Sequence, residues 1–329
     1  MIRALWPLLW IIPATHMANR LIALLISASL WQTAWGQPIV GRDSTHITFL
    51  QPSYESPFRW KGAQKGGRWD PHAALLIPLR LSPSAQPVYM QLDTGSPVSM
   101  LYSDPDQGRY PADTAHNRAS FRVQLGAGLL ILERPLIRKI PTPHVGGPPE
   151  PLIIGTLGTD FLTQKVVRLD YRRQTIALLD KLPDALEKDT RWSTCLYERG
   201  NILLSALVES QSKLLYWDTG SSGFDLLTDQ ATWSRLAAKD SLPTTYTVPS
   251  WNKTLLAHTV AARASIELAS QQLPLAYVTY MEGASANQIN QMMALGIGGM
   301  TGNTLFLKSI LLLDLSHRRY SLISSTVIR

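Results

Sequence analysis

The sequence predicts an all-β chain of two lobes related by a pseudo-twofold axis, with a few short helices. Three observations carry this expectation. First, an apolar strand runs into Asp-Thr-Gly-Ser twice, at residues 89–96 (YMQLDTGS) and at 214–221 (LLYWDTGS). Second, a glycine-bearing segment follows each time, at 153–170 (IIGTLGTDFLTQKVVRLD) and 297–314 (IGGMTGNTLFLKSILLLD). In register and without a gap, Gly155 meets Gly299, Gly158 meets Gly302 and Asp170 meets Asp314. Two motifs repeated in the same order are the mark of a duplication. Third, the remaining apolar runs are short and bounded by turn residues, as strands are.

Taken in order, residues 1–36 read apart from the rest. From Met17, an alternative start, a basic Arg20 precedes the apolar run 21–30, and Ala34-Trp35-Gly36 carries small residues at a cleavage site. That is a signal-peptide pattern, cut after Gly36, with an uncleaved anchor as the alternative. Localisation is therefore expected to be exported, periplasmic or secreted, with a tether by this segment as the variant. Phe306 to Leu313 is apolar but short and broken by Lys308, so no second membrane span is expected. Residues 37–72 read as a less regular N-terminal extension or a pro-segment. The first lobe is expected over 73–182, with strands at 73–81, 88–92, 121–125 and 129–133. Residues 183–198 are charged and mixed, and read as the inter-lobe linker. The second lobe is expected over 199–329, with strands at 201–208, 213–217, 259–264 and 275–279. Asp229 is expected to cap a short helix over 229–238.

Composition narrows the function classes. Of 329 residues, 45% are hydrophobic and 17% charged, enough to bury a core. One cysteine, Cys195, excludes an intrachain disulfide framework and a four-cysteine zinc site. The net charge of +7 is spread along the chain rather than gathered in a patch, and an exported protein meets no genomic DNA, so no nucleic-acid partner is expected. The seven histidines lack H-E-x-x-H or equivalent spacing, so neither a metal nor a cofactor is expected.

The two Asp-Thr-Gly-Ser loops carry the chemistry. A strand fixes each aspartate, and Gly95 and Gly220 leave room beside the carboxylates. Thr94 and Thr219 offer hydroxyls that lock one loop against the other. Ser96 and Ser221 are placed to donate to a carboxylate oxygen. If the loops face each other, Asp93 and Asp218 share one proton, because two like charges in contact cannot both ionise freely. One acid and one base then stand in one site, able to activate water against a peptide carbonyl without a covalent intermediate.

On these motifs the chain resembles the pepsin-like aspartic peptidases, and its GTDFL…D wording is also similar to retropepsin-like single lobes. The resemblance spans residues 75–323 in outline and is tight at the four motif segments. It implies a two-lobed pepsin-like acid protease fold, one catalytic aspartate per lobe (Asp93 and Asp218) and a cleft for extended peptide or unfolded protein. It implies an endopeptidase inhibited by pepstatin-type compounds. Both acids lie in one chain, so a monomer suffices. A hairpin flap is expected over 121–133, turning at Gly126, Ala127 and Gly128, and it lacks the family's tyrosine. The family's cysteine pairs are also missing, and Pro97 follows the first loop. The alternative reading is a catalytically silent peptide-binding protein of the cell envelope.

Overall fold

The structure is a computed structural model, and it describes residues 45–82, 85–103, 120–139, 151–250, 253–284, 290 and 292–324. The expected export segment 1–36 lies outside the described residues. What is described is all-β apart from short helices, and it is built as two lobes on a shared base.

The base sheet comes from the hairpins that follow the two glycine segments. Val166–Asp170 pairs with Thr175–Leu179, and Ser309–Asp314 pairs with Arg319–Ser324. The hairpins join antiparallel, with Val166 opposite Asp314, Arg168 opposite Leu312 and Asp170 opposite Ile310. Val166 is the counterpart of Ile310, and Asp170 of Asp314. The register therefore maps onto itself when the halves are exchanged, and the pseudo-twofold axis passes between Arg168 and Leu312. Ser309–Asp314 is buried at every position, which is why it reads as a continuous apolar run instead of an alternating one. Ser53–Pro57 ends the sheet on one side; on the other, Ser193–Glu198 pairs with both Arg319–Ser324 and Asn201–Val208 and carries the sheet into the second lobe.

Above the base, each lobe repeats one arrangement. Val88–Leu92 lies parallel to Ile153–Leu157, which pairs on its other side with Met100–Ser103. Gln211–Trp217 lies parallel to Ile297–Thr301, which pairs on its other side with Leu226–Leu227. Both parallel ladders skip one residue at the equivalent place, Ile154 in the first lobe and Gly298 in the second. The motif glycines stand where the third strand presses in. A Cβ at Gly155 would lie 2.2 Å from the Met100 carbonyl oxygen, and one at Gly299 2.2 Å from that of Leu227. The second-lobe helix runs Gln230–Leu236, and the Asp229 carboxylate accepts from the amides of Ala231 and Thr232 at its start.

Three segments differ in form from what composition implies. Residues 45–72, read as irregular, carry the strands His46–Phe49, Ser53–Pro57 and Arg59–Lys65 and the beginning of Arg68–Leu79. The strands here are short and polar, and only Tyr54 and Ser56 of Ser53–Pro57 point inward, so the alternation is easily missed. Residues 183–198 hold the helix Asp184–Asp189 and the strand Ser193–Glu198. The hairpin Ser120–Leu125/Gly128–Glu133 forms as expected, but not as a flap. Its inner face buries Val123, Leu125, Leu130 and Leu132, and its second strand pairs with His46–Phe49. The turn Gly126-Ala127-Gly128 packs on the base sheet: a Cβ at Gly126 would lie 1.9 Å from the Glu55 carbonyl oxygen, and one at Gly128 2.5 Å from the Tyr54 ring. The expected flap residues are thus held at the base rather than beside the aspartate loops.

One contiguous core runs through both lobes, from Ile47 to Leu322. An aromatic file crosses it. Trp60 stacks on Tyr171, Tyr171 on Phe306, and Phe306 meets Trp217 edge-on. Trp217 is fully buried and immediately precedes Asp218.

Candidate active site

Each aspartate leaves its strand at the end of the parallel ladder. The Asp93 amide donates to the Leu157 carbonyl at 2.9 Å, and the Asp218 amide to the Thr301 carbonyl at 2.9 Å. The next residue locks the halves together. Thr94 N–H donates to Thr219 Oγ1 at 2.9 Å, and Thr219 N–H donates to Thr94 Oγ1 at 3.0 Å. The Thr94 hydroxyl donates to the Trp217 carbonyl at 2.7 Å, and the Thr219 hydroxyl to the Leu92 carbonyl at 2.8 Å. Both threonines are wholly buried, so all four bonds form where no water competes.

This lock sets Asp93 and Asp218 face to face, near enough that the charge of Asp218 acts on Asp93. Glycine makes the approach feasible. A Cβ at Gly220 would lie 2.3 Å from Asp93 Oδ1, and one at Gly95 2.6 Å from Asp218 Oδ1. The Gly95 amide donates to Asp93 Oδ1 and the Gly220 amide to Asp218 Oδ1, each at 2.9 Å. Burial pushes both acids above the usual carboxylate range, and for Asp93 the neighbouring Asp218 charge adds to it. A pair that cannot doubly ionise at ordinary cost holds one proton between its members.

The two carboxyls are not equivalent. Asp218 Oδ1 also accepts from the Ser221 amide at 3.2 Å, and its Oδ2 from the Ser221 hydroxyl at 2.9 Å. Ser96, expected to do the same for Asp93, donates its hydroxyl to the Val98 carbonyl at 2.8 Å. Donors to an anion favour the ionised form. Asp218 is therefore the better-stabilised carboxylate, and Asp93 the better place for the shared proton.

The lobes also support their loops differently, through residues that the repeat alone does not single out. In the first lobe, Asp160 accepts from the Ser99 amide (2.8 Å), the Ser99 hydroxyl (2.6 Å) and the Phe161 amide (2.9 Å). The Ser99 hydroxyl in turn accepts from Gly158 N–H at 3.0 Å. Burial pushes Asp160 up to about 6. In the second lobe, Asn303 donates to the Thr219 carbonyl at 3.2 Å and to Ser222 Oγ at 3.0 Å, and accepts from the Tyr171 hydroxyl at 2.8 Å. The signal for both was present as a mismatch: Thr159 faces Asn303 in the aligned halves, Asp160 faces Thr304 and Tyr171 faces Leu315. Among the described residues, no group of three or more His, Cys, Asp or Glu side chains is gathered as a metal site would need.

No model of a known protein family and no curated protein matches the chain. Among solved structures, it is similar to basic 7S globulin from soybean at 10% identity, covering 84% of this chain and 97% of that one, with a TM-score of 0.46. It is similar to an aspartic proteinase from Irpex lacteus at 12% identity, covering 83% and 97%, with a TM-score of 0.43. It is also similar to conglutin gamma, a basic 7S globulin from lupine seeds, at 9% identity, covering 84% and 95%, with a TM-score of 0.45.

Proposed function

We propose that the chain is an aspartic endopeptidase with Asp93 and Asp218 as its catalytic pair. One observation carries the reading: loops interlocked by Thr94 and Thr219 bring one carboxyl from each lobe together, each packed against the glycine of the opposite loop. Asp218, with its three loop donors, is the base. It takes a proton from a water molecule, whose oxygen adds to the peptide carbonyl carbon. Asp93 gives its proton to the carbonyl oxygen. The tetrahedral species then collapses as the C–N bond breaks, the amine nitrogen takes up a proton, and the pair returns to its singly protonated state. Preorganised geometry does most of the work, since the groups are held by bonds that already exist before substrate binds.

The substrate class is peptide or unfolded protein, and one chain supplies both acids. We assign the lobes to 73–182 and 199–329, and the export signal read over Met17–Gly36 supports an exported enzyme. The purified chain is expected to cleave an unfolded protein at mildly acidic pH, with cleavage stopped by a pepstatin-type compound. Asp93→Asn and Asp218→Asn should each abolish cleavage and leave the circular dichroism spectrum unchanged; activity retained in either variant rules the mechanism out. The second reading, a silent peptide-binding protein, draws on Ser96, whose hydroxyl serves Val98 and not Asp93. It predicts saturable peptide binding with no product after long incubation.

A further inference from the structure

The duplication makes one difference between the halves easy to locate. Leu76 lies opposite Gln91 and Leu203 opposite Tyr216, and each partner stands two residues before its aspartate. Leu76 and Leu203 are therefore counterparts. In the second lobe the chain turns almost at once, at Arg199-Gly200, before entering Asn201–Val208. In the first lobe Arg59–Lys65 and Arg68–Leu79 run on together well past that point, to a turn at Gly66-Gly67. Residues 62–72 thus form an arm that the second lobe lacks.

The arm reaches across to the other lobe. Lys65 Nζ donates to the Gly223 carbonyl at 2.7 Å and lies 3.5 Å from the centre of the Phe224 ring. Asp70 sits so close to Gly223 that a Cβ there would be 2.1 Å from its Oδ2. The Ser222 hydroxyl donates to the His72 carbonyl. Further out, the Arg68 guanidinium donates to the Tyr277 hydroxyl and lies over that ring, and Gly66 rests on Tyr246. The segment held is 222–224, which continues directly from Ser221, a double donor to Asp218. The short second-lobe turn makes a reciprocal contact, with the Gly200 carbonyl accepting from the Thr159 hydroxyl at 3.0 Å and Gly200 packed on Pro97.

We propose that the arm 62–72 is a clamp by which the first lobe holds the loop carrying Asp218, with Lys65 as its positioning residue. Lys65 does not touch the carboxyl pair; it acts through Gly223 and Phe224. Its charged surroundings are Asp70 and Asp225, which favour the cation, and Arg68, which opposes it. Burial outweighs them and lowers the lysine to about 8. A methionine would fill the same apolar space without that cost, so the charge-assisted bond to Gly223 and the contact with the Phe224 ring are what this position supplies.

The kinetic part of this inference rests on the peptidase reading; the clamp itself does not. The experiment is amide hydrogen exchange on the full chain, comparing the unaltered protein with Lys65→Met, Lys65→Arg and Tyr277→Phe. Lys65→Met is expected to speed exchange at residues 220–224 by on the order of tenfold, with the rest of the chain unchanged. Lys65→Arg should restore most of the protection, and Tyr277→Phe should move the same amides in the same direction by less. In a peptidase assay, Lys65→Met should lower kcat by about tenfold with KM little changed. Unaltered exchange at 220–224 in both Lys65→Met and Tyr277→Phe overturns the clamp, and so does a rise spread evenly over the chain. If Lys65→Met fails to fold, Tyr277→Phe decides alone. If the unaltered protein cleaves nothing, the peptidase reading falls while the exchange result still decides the clamp.

Discussion

Replacing Thr219 by Val isolates the lock between the loops. The side chains have nearly the same shape, so the substitution opens little cavity, and its cost is almost entirely in hydrogen bonds. Two buried groups lose their partners: the Thr94 amide, 2.9 Å from Thr219 Oγ1, and the Leu92 carbonyl, 2.8 Å from it. An orphaned buried polar group costs about 1–3 kcal/mol, so the variant should lose about 2–6 kcal/mol. That is a large share of the ~5–15 kcal/mol that holds a typical domain folded. Thr94→Val orphans a different pair, the Thr219 amide and the Trp217 carbonyl, and should cost about the same. The measurement is urea unfolding at fixed pH, followed by tryptophan fluorescence and read as a fall in midpoint at constant slope. A loss below about 1 kcal/mol in Thr219→Val would refute the reasoning, because it would mean that the loops are held elsewhere.

Three further outcomes follow from the same geometry. Gly220→Ala must displace Asp93, since the new Cβ would lie 2.3 Å from its Oδ1, and a shift approaching 1 Å should lower kcat on the order of 10²-fold in a peptide-cleavage assay. Asp93 is raised by burial, so the folded chain binds its proton more tightly than the unfolded chain does; the contribution is present at low pH and is lost as pH rises above the usual carboxylate range. Urea midpoints from pH 4 to pH 7 should therefore fall more steeply in the unaltered protein than in Asp93→Asn, and a shallower fall in the unaltered protein would contradict the assignment. Ser221→Ala removes a hydroxyl donor from Asp218, so the acid limb of the pH–rate profile should move upward; Ser96→Ala should leave it in place, because that hydroxyl serves the Val98 carbonyl.

The pseudo-twofold scaffold was legible because duplication writes itself as an offset between motifs. The paired Asp-Thr-Gly-Ser loops, their glycine segments and the base hairpins all appear in sequence at matching places. Asp170 and Asp314, aligned by the repeat, both end their strands and accept from the amides of Arg173 and His317 in the following turns. The flap was not legible, for a physical reason. Alternation over 120–133 announces a hairpin, but it does not say whether the turn meets solvent, ligand or another strand; Tyr54 and Glu55 decide that, and they lie far away in the chain. The arm was hidden in the same way. Residues 62–72 are polar and glycine-rich, and what orders them is the distant surface around Gly223, Tyr246 and Tyr277.

A perfectly twofold site would divide its proton evenly and would have no separate acid and base. General acid–base work needs two environments of unequal character. The departures from symmetry fall on both loops: the Asp160–Ser99 network braces the first-lobe loop, and several others favour Asp218. The Ser221 hydroxyl donates to its carboxylate, whereas the Ser96 hydroxyl donates to the Val98 carbonyl. Asn303 braces the Thr219 backbone, while Thr159, its counterpart, donates to the Gly200 carbonyl at 3.0 Å and to the Pro97 carbonyl at 3.4 Å. Tyr171 reaches Asn303 across the lobe boundary, whereas its counterpart Leu315 has no hydroxyl to offer. The arm adds a fourth brace, again on the Asp218 loop. Both loops are braced, but the hydroxyl donor to a carboxylate stands on one side of the pair, at the member that better holds the charge. The proton is left to Asp93, where fewer donors oppose it. Symmetry brings the two acids together, and its local failures give them different surroundings.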